Sequence, residues 1–97
     1  MSRWLVEKRL FESAERLKRL RAELKVVDEQ LLALTEAADE ARLRALVSET
    51  PLADKENREA QKHAEAMGRR RAEIVTSIGD LTRTQDELLD KLVAEAR

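Results

Sequence analysis

Residues 42–54 read RLRALVSETPLAD, and this stretch decides the fold. It holds the one proline of the chain, Pro51, with Thr50 before it. Proline disfavours helix at the residue that precedes it, and its missing N–H does no harm at the first position of a new helix. Thr50 therefore reads as a cap and Pro51 as the first residue of a second helix. Asp54 and Glu56 follow in its first turns, where carboxylates complement the helix dipole. A turn at about residues 48–50 is expected.

Outward from that turn, an apolar seam recurs at alternating steps of three and four in both directions. Upstream it passes through Ala45, Ala41, Ala38, Leu34, Leu31, Val27, Leu24, Leu20, Leu17, Ser13, Leu10 and Val6. Downstream it runs through Ala53, Asn57, Ala60, Ala64, Met67, Arg71, Ile74, Ile78, Leu81, Gln85, Leu88 and Leu92. Taken from opposite ends, each pair of seam numbers sums to 98, from Val6 with Leu92 to Ala45 with Ala53. Two heptad helices folded back on each other give this mirror relation. The fold expected is all-α: a single antiparallel coiled-coil hairpin over residues 1–97, with helix 1 at about 3–47 and helix 2 at about 51–95.

The charges give a second reading of strand direction. Residues 8–25 carry Lys8, Arg9, Arg16, Lys18, Arg19, Arg21 and Lys25, and the stretch folded over them holds Glu73, Asp80, Asp86, Glu87 and Asp90. A hairpin sets opposite signs against each other, whereas a parallel dimer of either helix would oppose like charges. Near the turn, Arg44 is expected to pair with Glu56 and Arg42 with Asp54. Such exposed pairs are worth a few tenths of a kcal/mol each and select register more than they stabilise. Three seam layers are polar: Ser13 with Gln85, Val27 with Arg71, and Ala41 with Asn57. A polar seam residue penalises slipped registers, and Arg71 is expected to reach outward to an acid such as Asp28.

Heptad positions b and e of both helices adjoin on one side of an antiparallel pair. Trp4, Phe11, Leu32 and Leu46 of helix 1 share that side with Val75, Leu89 and Val93 of helix 2, and Gly68 and Gly79 fall there too. A lone two-helix seam buries little, and a second apolar face is what a bundle-forming or partner-binding surface shows. Dimerisation into a four-helix bundle, or docking of another protein, is the expectation for these seven residues.

Composition removes several function classes. The chain has no cysteine and one histidine, which leaves no thiolate chemistry and no zinc cluster, and no cofactor or metal is expected. Nineteen basic side chains against twenty acidic give a net charge of −1, so nucleic acid is not an expected partner. The run Gly68-Arg69-Arg70-Arg71 is bracketed by Glu65 and Glu73 and reads as intramolecular pairing. No apolar run reaches the ~20 residues needed to cross a bilayer, and the start lacks a signal-peptide core. A cytoplasmic location is expected, and the arginine- and alanine-rich composition suggests a bacterial source.

Two stretches resemble known families. LRAELKVVDEQLLAL, residues 20–34, resembles the first-helix signature of the small all-helical chorismate mutases, with Arg21 and Asp28 at matching positions. Two further cationic positions of that family fall on Ala38 and Glu49, and no nucleophile stands beside a base elsewhere, so no enzyme is expected. ADKENREAQKHAEA, residues 53–66, is similar to the start of the second helix in Gre-type coiled-coil transcription factors, whose tip acids help hold a metal in RNA polymerase. That resemblance implies Glu49, Asp54 and Glu56 as tip residues, with Arg42, Arg44 and Lys55 offsetting their charge. The function expected is a non-enzymatic interaction or scaffold module, with a Gre-like regulator as the alternative.

Overall fold

The computed structural model describes residues 2–96. It contains two helices, α1 at Arg3–Ser48 and α2 at Pro51–Glu95, packed as an all-α hairpin. Both start signals are hydroxyl caps. The Leu5 N–H donates to Ser2 Oγ at 3.2 Å, and the Ala53 N–H donates to Thr50 Oγ1 at 3.1 Å. Each serves one of the amides that a helix N-terminus leaves without a partner. α1 runs one residue beyond the expected Val47, because its stop is made at Glu49. There φ is 49°, and the Glu49 N–H returns to the Ala45 carbonyl at 3.2 Å. This is a left-handed cap of the kind glycine usually supplies.

Packing divides the described residues into two units. The first joins residues 2–24 to 74–96. Its core is Val6, Leu17, Ile74 and Leu88, with Ser13 also buried. The second spans residues 25–73, and Val27, Ala38, Ala41 and Ala53 are its buried apolar residues. Across both units, every seam position except Arg71 is buried or half-buried.

The alanine seam of the second unit has a direct consequence. Short side chains leave Gln61 near enough to the opposite helix for its Nε2 to donate to the Ala38 carbonyl at 3.0 Å and to Asn57 Oδ1 at 3.1 Å. The polar layer expected at Ala41 and Asn57 is thus completed by Gln61. Arg71 leaves the seam as expected, and its Nε pairs with Asp28 Oδ1 at 2.5 Å, linking the two helices. Both side chains are almost half exposed, so the pair fixes register more than it adds stability.

The expected pairs Arg44–Glu56 and Arg42–Asp54 do not form. Arg44 Nη1 lies 3.9 Å from Glu40 and Arg42 Nη2 3.4 Å from Asp39, both within α1. Partners one turn away on the same helix need less side-chain ordering than partners across the hairpin. Arg3–Glu7, Lys8–Glu12, Lys55–Glu59, Arg70–Glu73 and Arg83–Asp80 follow the same rule.

Candidate functional site

The b/e side of the first unit is built by the same heptad that builds its core. Once Val6, Leu17 and Leu88 turn inward, the helical period sends Trp4, Phe11, Val75, Leu89 and Val93 outward together. All five are exposed, Trp4 at 68% and Phe11 at 69%. Lys8 Nζ stands 5.4 Å from the centre of the Trp4 ring, so one aromatic face meets a cation while the ring stays accessible. In the second unit, Leu32 and Leu46 are exposed as well. Among the described residues, no side chain of either unit covers these apolar groups to the degree that the seam residues are covered.

A Cβ built at Gly68 or Gly79 meets nothing within 4 Å. Neither glycine is required by a close approach inside this chain.

At the turn, Glu49, Asp54 and Glu56 are exposed and lie outside the ion pairs that engage neighbouring acids. Among the described residues no three His, Cys, Asp or Glu side chains converge to hold a metal. The tip also carries exposed apolar side chains among its charges. Leu43, Leu46, Val47 and Leu52 are exposed around it, Val47 at 84%. The sequence reading passes over Leu43, Val47 and Leu52 because they occupy c and f positions, where a polar residue is the rule; three such exceptions within ten residues are the available signal.

A groove of about 460 Å³ opens on the side of the first unit opposite the b/e face. Arg9, Arg16, Arg19 and Lys91 line it. Glu12, Ser13, Leu81, Thr84, Glu87 and Leu88 complete the lining. The sequence reading places Arg9, Arg16 and Arg19 in a basic stretch expected to face acids of the second helix, Glu87 among them, but does not join them to Lys91 in one groove. Arg9, Arg16 and Arg19 share the g and c side of α1, and the hairpin adds Lys91 from α2.

Comparison with protein-family models, with curated proteins and with solved structures returns no match to this chain. Among the described residues no helix is long and apolar enough to cross a membrane.

Proposed function

We propose that this protein is a non-enzymatic coiled-coil interaction module that works through protein–protein contact, with a second copy of itself as the partner. The observation that carries this reading is the outward row Trp4, Phe11, Val75, Leu89 and Val93 on a unit in which only four apolar side chains and a serine are fully buried and the other seam residues are half-buried. A seam this thin gives little stability to a chain of 97 residues. Full burial of a large apolar side chain contributes roughly 1.5–3 kcal/mol, so covering this row offsets what the seam lacks. A second hairpin presents the same row, and a two-fold pairing sets it against itself, giving a four-helix bundle.

Light scattering tests the reading. A dimer near twice the chain mass of 11.1 kDa is expected, with Trp4 emission shifting to the red on dilution. A monomer at micromolar concentration, with Trp4 emission already that of a wet indole, would remove self-association.

The alternative, a Gre-type regulator acting through its tip on RNA polymerase, draws on the exposure of Glu49, Asp54 and Glu56. It has the weaker support, since the acids do not converge among the described residues and exposed Arg42, Arg44 and Lys55 offset their charge. Replacing all three by their amides leaves dimerisation and melting almost unchanged on the interaction-module reading. The regulator reading requires that the same change abolish polymerase binding.

A further inference from the structure

The groove of the first unit gathers four cations into one cavity. Outside it, Arg3, Lys8, Arg42, Arg44, Lys55, Arg70, Arg71 and Arg83 each hold a carboxylate within 4.0 Å, whereas Lys18, Arg21, Lys25, Arg58, Lys62 and Arg69 have no ion pair among the described residues and are not part of the groove lining. Arg9, Arg16, Arg19 and Lys91 line one cavity, and none has an ion pair among the described residues. Of the two acids that line it, Glu12 already faces Lys8 at 4.0 Å, which leaves Glu87 as the less compensated negative charge.

The lining adds a donor. Thr84 spends its hydroxyl on the Asp80 carbonyl at 3.0 Å. Ser13, only 8% exposed, makes no hydrogen bond among the described residues, yet no unpartnered buried polar atom is found there. Its hydroxyl therefore retains access to solvent, and Ser13 is part of the groove lining.

We propose that this groove binds a small polyphosphate, with Arg9 and Lys91 holding one end and Arg16 and Arg19 the other. Arg9 and Arg16 are two turns apart on α1, about 10 Å at 1.5 Å per residue, and their long side chains shorten that span. Ser13 donates to an oxyanion between them. Guanidinium forks match phosphate oxygens in pairs, and lysine adds a point charge. The cavity volume falls in the range of small-molecule sites. Four cations against two lining carboxylates, one of them already facing Lys8, leave the cavity positive and fit a compact ligand of high charge density. A nucleic-acid backbone is gripped by a longer basic track, and an acidic peptide carries its charges farther apart.

The test is a titration of the full chain with inorganic tripolyphosphate, followed by amide chemical shifts at constant ionic strength. Saturable one-to-one shifts confined to residues around Arg9, Ser13, Arg16, Thr84 and Lys91 are expected, with affinity at least tenfold above that for orthophosphate, which reaches one end only. Arg16→Gln with Arg19→Gln should weaken binding tenfold or more, and Glu87→Gln should tighten it, all at unchanged helicity because these side chains are exposed. Arg58→Gln, outside the groove, should change nothing. Equal response to orthophosphate, or shifts that do not saturate, would reduce the effect to ionic screening and overturn the proposal. Tighter binding of an oligonucleotide or of polyglutamate, with shifts spreading beyond the groove, would overturn it in favour of that ligand.

Discussion

Glu49 is where a single residue bears most on the turn. A side chain with φ near +50° costs roughly 1–2 kcal/mol relative to glycine, because Cβ crowds the following carbonyl. Glycine loses part of that advantage to the greater freedom of its unfolded chain. Glu49→Gly is therefore expected to stabilise the hairpin by about 0.5–1 kcal/mol, read as a higher midpoint in denaturant. Thr50→Ala should act in the opposite sense by about 1 kcal/mol, since it leaves the Ala53 amide without the hydroxyl at 3.1 Å. Loss of stability on Glu49→Gly would mean that the carboxylate does something at the tip worth more than the strain it imposes. The cap at Thr50 was legible in the sequence because proline after threonine permits few other readings. The stop at Glu49 was not, since nothing in a glutamate announces a left-handed backbone; the strain appears only once the two-residue connection is seen.

At the scale of the helices, the seam was legible to the residue, and of the named ion pairs Arg71–Asp28 was legible while those at the turn were not. Apolar burial is set by a period, and a period can be counted; each seam residue but Arg71 lies inward, and Arg71 reaches Asp28. Ion pairs between exposed side chains are set by rotamers and reach, so Arg42 and Arg44 took nearby acids of α1 instead of the acids across the turn. Cysteines in place of Leu17 and Leu81, a seam pair of the first unit, should form an intramolecular disulfide, whereas cysteines at Leu17 and Leu88 should not. Crosslinks formed only between chains would replace the hairpin by long associating helices. Gly68→Ala carries a second expectation for α2. Its added methyl meets open space, so the helix should gain about 1 kcal/mol of stability from propensity alone. If the variant melts higher but dimerises more weakly, Gly68 is where a second molecule approaches the backbone.

For the whole molecule, the question is what the exposed apolar row is for, and melting as a function of concentration addresses it. If folding and association are one event, the free energy of the folded dimer is referred to two unfolded chains, and each tenfold dilution removes about 1.4 kcal/mol from it. For a dimer of this size that lowers the melting midpoint by roughly 3–6 °C. A midpoint independent of concentration would mean that each hairpin is stable alone. Phe11→Glu with Leu89→Lys then identifies the face. Both side chains are exposed in the single chain, Phe11 at 69% and Leu89 at 45%, so their replacement costs a solitary hairpin little, within about 0.5 kcal/mol each. In a dimer that covers them, the same change buries charges of both signs in an apolar interface, and dissociation with a fall in the midpoint of about 10 °C or more is expected. The groove lies on the opposite side of the same unit, at g and c positions, and its four cations are untouched by either substitution. Tripolyphosphate should accordingly raise the midpoint of the variant carrying both Phe11→Glu and Leu89→Lys by as much as it raises that of the unmodified chain. A ligand effect that vanishes with dimerisation would instead place part of the anion site on the second molecule.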